Sequence, residues 1–455
     1  MNLPALIGTL APNKSRGAAL IIMLFVVVLA YTAILVSLLA KTNPAIERQK
    51  KTMAALAQAK QALIAWSVTR GDMQPATTTK TTTDPATGAQ TTSIRYTYSR
   101  PGSLPCPDLN NSGSEDDGGC SAETGTSLRR LPWRSLGLEE LVDGHGEPLW
   151  YVVSDNFRRA NTLNNYAINN ETRGSLLLYA SDGVTLLTSS GEELAAIIFA
   201  PGPSLPSNTD RGTKPNDASS YLEAFNGKNN ANAAGPFIMG PVRDSEGNLI
   251  SNDIAIGISA KELITTIEQR ALKEAEKALA AYKTENGRYP YPAPYNGANC
   301  VSVVNDVTKA IPSLCNSDSA TPTCIGRLPE NIFPYYSPAD ARLLELSGQL
   351  KIAPWFTQNG WGRTMTYAIN DGIGSAARCP TPIGIDGTKK YNTYILIAPG
   401  TARTGQSRPP PITQQNSPAS LSNYLEDTGN TDAWSGNFDF VTPTANSNDR
   451  LRSAP

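Results

Sequence analysis

Residues 18–40, AALIIMLFVVVLAYTAILVSLLA, form an apolar run without a single charge. As a helix rising 1.5 Å per residue the run spans about 35 Å, enough for a hydrocarbon core of about 30 Å, so it is expected to cross a membrane. A secretory signal has a shorter apolar region, about 7 to 15 residues, ahead of a small-x-small cleavage site. Leu38-Leu39-Ala40 is a poor site of that kind. Lys14 and Arg16 precede the run and Lys41, Arg48, Lys50 and Lys51 follow it, so flanking charge does not orient it. Pro44 should interrupt the helix. Beyond it the pattern turns amphipathic: Leu56, Ala59, Leu63 and Trp66 recur at helical spacing and need a surface to pack on. Short apolar runs at 149–153, 195–199 and 394–397 predict strands.

The pattern then repeats. Residues 271–287, ALKEAEKALAAYKTENG, align without gaps on 55–71, ALAQAKQALIAWSVTRG, at a shift of 216 positions. Alanine-rich helices coincide easily, but the same shift superposes Gly144, Gly146, Tyr151 and Asp155 on Gly360, Gly362, Tyr367 and Asp371. Further pairs follow in order: Arg130-Leu131-Pro132 with Arg327-Leu328-Pro329, Ala200-Pro201-Gly202 with Ala398-Pro399-Gly400, Tyr221-Leu222-Glu223 with Tyr424-Leu425-Glu426, and Asn252-Asp253 with Asn448-Asp449. A tandem duplication accounts for them. Ser259 and Glu262 make a Ser-x-x-Glu capping box ahead of Leu263, Ile267, Ala271 and Ala275, which starts the second helix and places the boundary between units near Ile258. The expected fold class is α+β: an N-terminal transmembrane helix followed by two tandem units, each a helix packed on an antiparallel sheet.

Two sets of residues resemble one family. Lys14-Ser15-Arg16-Gly17-Ala18 is a short basic leader ending in Gly just before the apolar run, and it resembles the leader of type IV prepilins and of type II secretion pseudopilins. The resemblance implies that a prepilin peptidase cuts after Gly17 and methylates Ala18. The family usually carries Glu at the fifth mature residue, where this chain has Ile22; minor and tip subunits are known to lack that Glu. Gly287-Arg288-Tyr289-Pro290 is similar to the turn that ends the pseudopilin helix. Asp143-Gly144-His145-Gly146-Glu147-Pro148-Leu149-Trp150-Tyr151 and Asn359-Gly360-Trp361-Gly362-Arg363-Thr364-Met365-Thr366-Tyr367 are both similar to the family strand motif Asp-Pro-Trp-Gly-x-Pro-x-x-Tyr. The division expected is a leader at 1–17, a transmembrane helix at 18–40, a first pilin-like unit with helical stem at 41–258 and a second at 259–455. Resemblance further implies a single-pass protein of the bacterial inner membrane, with the bulk of the chain in the periplasm or on a surface filament. Its partners would be other pilins or pseudopilins met through the N-terminal helix, the prepilin peptidase and the membrane.

Composition narrows the chemistry. Lys plus Arg number 39 against 40 Asp plus Glu, a net charge of −1 that leaves no basic excess for nucleic acid. Charged residues are 17%, and 36 Gly and 34 Pro favour a loop-rich protein. His145 is the sole histidine, and in the second unit Trp361 fills its place, which points to turn geometry or packing rather than acid–base catalysis. With no nucleophile elbow, Walker loop or Cys-x-x-Cys pair, the chain is expected not to be an enzyme.

Six cysteines follow the apolar run, and prepilin topology would put them in the oxidising periplasm. Cys106 and Cys120 would close a short loop in the first unit. Cys300, Cys315, Cys324 and Cys379 allow three pairings, of which the repeat favours Cys300 with Cys324 and Cys315 with Cys379. Asp108, Asn110, Ser112, Ser114 and Asp116 match the start of a calcium loop, although Gly119 stands where a bidentate Glu is usual; an acidic turn uses the same residues. Calcium is the one cofactor the sequence raises. The Thr-rich tract at 77–92 and the tract from Arg408 are weakly hydrophobic and read as flexible. The functional expectation is a non-enzymatic minor pilin or pseudopilin, acting in assembly or at the tip of a type IV pilus or type II secretion pseudopilus. The alternative is a membrane-anchored periplasmic or surface binding protein, adhesin-like, that joins no filament.

Overall fold

The structure, a computed structural model, describes residues 44–69, 76–83, 90–97, 101–115, 128–158, 168–188, 192–206, 208, 210–293, 300–301, 314–315, 324–329, 335–337, 342–344, 352, 355–356, 359–373, 377–403, 405–406, 408, 418–432, 437–444 and 447–454. Two long helices and two four-stranded sheets organise them. Helix α1 (Pro44–Thr69) buries Thr52, Ala55, Leu56, Ala59, Leu63 and Ser67. Trp66 of the expected stripe is half-buried. The first sheet contains β1 (Leu128–Arg130), β2 (Trp150–Val153), β3 (Leu194–Ala200) and β4 (Ile254–Ser259). These strands lie side by side in chain order and run antiparallel. β4 leads directly into helix α2 (Ala260–Asn286). The Ser259 hydroxyl accepts the Glu262 amide at 3.1 Å while the Glu262 carboxylate accepts the Ser259 amide at 2.9 Å. Gly287, left-handed at φ 71°, ends the helix.

The second sheet repeats the first: β5 (Ile325–Arg327), β6 (Thr366–Asn370), β7 (Thr393–Ala398) and β8 (Arg450–Ser453), again side by side in chain order and antiparallel. Sequence pairs become structural pairs. Tyr151 faces Ile198 across the first sheet, and Tyr367 faces Leu396 across the second. The Tyr151 hydroxyl donates to the Pro105 carbonyl at 3.2 Å, and the Tyr367 hydroxyl to that of Pro290 at 3.1 Å.

Both sheets are covered on both faces, which is why their central strands, β2 and β3 or β6 and β7, are buried along their whole length. Tyr151, Val153, Ile198 and Ile258 from the first sheet join Tyr367, Ile369 and Leu396 from the second in one core, together with Leu56 and Leu63 of α1 and Leu263, Ile267, Leu272 and Leu279 of α2. The opposite faces carry separate outer clusters. Trp150, Ile197 and Phe199 pack beneath Leu178, Tyr221, Leu222 and Phe237. Ile395 and Ile397 pack beneath Leu421, Tyr424, Leu425 and Phe440. Each large side chain so buried contributes roughly 1.5–3 kcal/mol, which stabilises helices that would be marginal alone in water.

Several expectations are corrected. The fold class is not a transmembrane helix followed by two helix-on-sheet units: the described residues are sheet-rich, with few helices and strands divided among nine small sheets, most of them two-stranded and antiparallel. The physical reason lies in the loops, whose short Asn- and Gly-centred turns pair locally, as in Ala224–Phe225 with Lys228–Asn229 around Asn226 and Gly227. Localisation in the inner membrane by a single pass is corrected too: among the described residues no helix is long and apolar enough to cross a membrane. The run at 18–40 that carried that expectation lies outside the described residues, as does the leader at 1–17. The Thr-rich tract forms an antiparallel ribbon, Ala76–Thr83 with Gln90–Thr97, consistent with the β preference of threonine.

Cysteine pairing also differs. Cys324 bonds Cys379, with S–S 2.07 Å and Cα atoms 5.4 Å apart, so neither Cys300–Cys324 nor Cys315–Cys379 forms. Adjacency decides it: Cys324 directly precedes β5, and the Ile369 amide of β6 donates to its carbonyl at 3.0 Å, while the Asp371 amide just past β6 donates to the carbonyl of Cys379 at 3.2 Å. Cys300 and Cys315 stand opposite one another in a two-stranded ladder. Cys106 is disulfide-bonded, and Cys120 lies outside the described residues.

The closest approach in the first unit is at Gly144, whose amide donates to the Thr52 hydroxyl of α1 at 2.9 Å. A Cβ on Gly144 would lie 2.1 Å from the Arg48 carbonyl oxygen. Gly144→Ala should therefore cost about 1–3 kcal/mol, read as a lowered midpoint in thermal melts, while Gly212→Ala, with open space around it, should stay within about 0.5 kcal/mol. Equal melts for the two variants would refute this packing.

Candidate functional site

The residue pairs that mark the duplication converge in space, once in each unit. In the first, the Gly202 turn leaves β3, the Tyr221-Leu222-Glu223 segment covers the outer face, and Asn252-Asp253 precedes β4. Arg211 joins them: its guanidinium donates to the carbonyls of Gly202 at 2.8 Å, Ser220 at 3.1 Å and Tyr221 at 3.2 Å, and its carbon lies 4.9 Å from the Tyr221 ring centre. Nη1 also meets the Glu147 carboxylate at 3.1 Å. The Glu223 carboxylate accepts from the Asn252 amide at 3.0 Å and from the side chain of Asn208 at 2.5 Å. Asp253 Oδ2 accepts from the Glu223 amide at 2.8 Å and the Asn230 side chain at 2.9 Å.

The second unit rebuilds this cage with Arg408, which donates to the carbonyls of Gly400 at 2.7 Å, Asn423 at 2.5 Å and Tyr424 at 3.0 Å, again 4.9 Å from a tyrosine ring. Glu426 accepts from the Asn448 amide at 3.0 Å, the Ser447 hydroxyl at 2.9 Å and Gln406 at 2.9 Å. Asp449 accepts from the Glu426 amide at 3.1 Å. Even the close approach repeats: Gly202 and Gly400 have φ of 64° and 62°, and a Cβ on either would crowd the Asn252 or Asn448 side chain. An arginine fits here because its planar fork can satisfy several carbonyls at once. Burial, then the neighbouring Glu426, raises the Asp449 carboxyl to about 8; burial, then Glu223, pushes Asp253 well above the carboxylate range.

A third polar cluster joins the units. The segment of the first unit after residue 167 reaches the second: Asn359 Oδ1 accepts the Ile168 amide at 2.8 Å, and the Asn359 carbonyl accepts the Asn169 side chain at 2.8 Å. The Tyr424 hydroxyl donates to the Glu171 carboxylate at 2.8 Å. Glu268 of α2, wholly buried, accepts from Asn170 at 3.3 Å and from the Gly400 amide at 2.9 Å, with Arg450 Nε 3.4 Å away. Burial raises its carboxyl to about 7, opposed by these partners.

The residues singled out in the sequence fall as follows. Gly17, Ala18 and Asp116 lie outside the described residues. Asp108 is buried and spends its carboxylate on the amides of Asn110, Ser112 and Gly113. Asn110 and Ser112 accept the next amides in turn, from Ser112 and Ser114. This is an acidic turn closed on its own backbone, and among the described residues no three His, Cys, Asp or Glu side chains converge to hold a metal. His145 is exposed, its amide held by the Asp143 carboxylate at 2.7 Å; the same carboxylate accepts Gly202 at 2.8 Å, so Asp143 ties the turn to the cage. Gly146 has φ 89° in open space. In the second unit Gly360 is left-handed at φ 68° and starts a helical turn that delivers Trp361 to the core, with Gly362 buried behind it.

Sequence reasoning missed Arg211, Arg408, Asn170 and Glu268. Arg211 follows Gly202 by nine residues and Arg408 follows Gly400 by eight, so a gapless comparison steps past the pair. Searched against protein-family models, curated proteins and solved structures, the chain matches none.

The Glu268 shift gives the seam a pH dependence. Its folded value lies above the unfolded one, so its contribution is whole below about pH 4.5 and is lost as pH rises through about 7. Glu268→Gln should flatten stability between pH 5 and 7, where the wild type loses on the order of 3 kcal/mol at most from this group, checked by denaturant unfolding across that range. Parallel curves for the two proteins would refute the assignment.

Proposed function

We propose that the chain is a non-enzymatic assembly subunit of the pilin type, acting in the assembly or at the tip of a type IV pilus or a type II secretion pseudopilus. The observation that carries this reading is the recurrence of one residue set in two four-stranded antiparallel sheets, whose inner faces share one core with the two long helices. The buried polar groups of both units hold loops to sheets. The leader residues Lys14 to Gly17 and the two glycine-rich strand entries support the family, and Ile22 in place of the usual acid supports a place off the repeating shaft. Bulky twin units would obstruct regular helical packing, which again favours a tip. A partner-binding role outside any filament is the second reading, favoured by the exposed apolar side chains Val184, Leu186 and Leu187 on one loop.

N-terminal sequencing of the mature protein tests the first reading and should begin at Ala18. A photo-cross-linker at Met53, exposed on α1, should then capture pilin-like subunits. Retention of Met1 in cells that process their other prepilins, with pili and secretion unaltered by deletion of this protein, would sink the proposal.

A further inference from the structure

In each cage one carboxylate oxygen is left without a donor. Four carboxylate oxygens of Glu223 and Asp253 meet the Asn252 and Glu223 amides and the side chains of Asn208 and Asn230, all on three of the oxygens. Asp253 Oδ1 is buried and has no partner among protein donors. In the second cage Asp449 Oδ1 is buried and unpartnered in the same way, although four donors serve the other three oxygens. The other carboxyl interacts with each aspartate side chain: Glu223 with Asp253, and Glu426 with Asp449. Two ionised carboxylates cannot face each other in a dry interior without heavy repulsion, and one proton between them turns repulsion into a strong charge-assisted hydrogen bond. The orphan oxygen recurs at the same place in two copies whose other partners differ, Asn230 in one and Ser447 with Gln406 in the other, so it belongs to the cage rather than to an accident of one loop.

We infer that each cage is closed by a shared proton, carried on Asp253 or Asp449 and donated to Glu223 or Glu426, and that its loss unlatches the outer layer from the sheet. The proton bridges an outer segment, Tyr221-Leu222-Glu223 or Tyr424-Leu425-Glu426, to the strand approach at Asn252-Asp253 or Asn448-Asp449. Losing it places a second negative charge against the first, under the apolar side chains that seal the face. The cations facing these pairs are Arg211, shared with Glu147, in the first cage and Arg408 in the second, and both are committed to backbone carbonyls. Tyr221 and Tyr424 lie against the same guanidinium groups. The direction of the carboxyl shifts agrees: both aspartates hold their protons above the ordinary range, Asp449 to about 8. Stability from this bond is whole below about pH 3.8 and is lost progressively as pH rises through about 8.

The test uses the full chain, Asp449→Asn and Asp253→Asn. Asparagine keeps the shape of the protonated acid and can donate as it does, without a proton to lose. Amide-exchange protection factors at Leu421 to Glu426 should fall roughly ten- to twentyfold further in the wild type than in Asp449→Asn between pH 6.5 and 8. Infrared spectra of the wild type at pH 7 should show a protonated carboxyl band that weakens in each variant, a readout that stands if a variant folds poorly. Absence of that band at pH 7, or equal loss of protection in wild type and Asp449→Asn, overturns the inference; so does protection that follows added calcium at fixed pH while the band is absent.

Discussion

A sheet with apolar residues on both faces must be covered twice, and that requirement governs the whole molecule. Trp150, Val152, Ile197 and Phe199 point one way from the first sheet, and Tyr151, Val153 and Ile198 the other. The inner face has α1 and α2 to lie on. The outer face has only loops and short strands or turns, whose backbone carries polar groups that cannot be left dry. The Arg–Glu–Asn–Asp cage answers this by feeding the carbonyls and amides of the covering segment from buried side chains. Removing the cage would strip the lid from the sheet and open the outer apolar cluster beneath it to water.

Duplication and divergence can be followed residue by residue. Tyr151 and Tyr367 keep the same bond to a proline carbonyl, and Arg130 and Arg327 end the first strand of each sheet. At the strand entry the copies part. Asp143 ties a tight turn to the Gly202 amide and leaves His145 in solvent, whereas Asn359 turns its side chain to the first unit and lets Trp361 enter the core. The second copy thus gave up an internal tie and gained a contact between units. Its helix shows the same trade: Glu268 of α2 corresponds to Thr52 of α1 at the repeat shift, and it bridges Asn170 and Gly400 where Thr52 holds Gly144.

The units are therefore successive in the chain but not separate in space. One core includes both helices and the inner faces of both sheets, and the polar seam from Ile168 to Glu171 crosses between them. A boundary drawn near Ile258 marks where one sheet ends in sequence. It does not mark a surface, because α2 begins one residue past β4 and packs into the common core.

Periodicity and repetition were readable from residue order, since both depend on local spacing. The stripe of α1, the capping box at Ser259, the central strands and the ordered pairs all follow from side chains a few positions apart or from identical short words. Cysteine connectivity, the arginine of each cage and the carboxyl pairs were not, because each depends on which distant segments the sheet brings together. Cys324 meets Cys379 because the chain directly before β5 and the chain just past β6 lie side by side, and spacing along the chain carries no record of that adjacency. Residue order by itself determined that short words recur in order along two stretches of the chain, each with a helical stripe and short apolar runs. Only the tertiary structure decided that the two copies share a single interior and that each seals its outer face with a buried acid pair, since burial and desolvation belong to the folded chain and not to any segment of it.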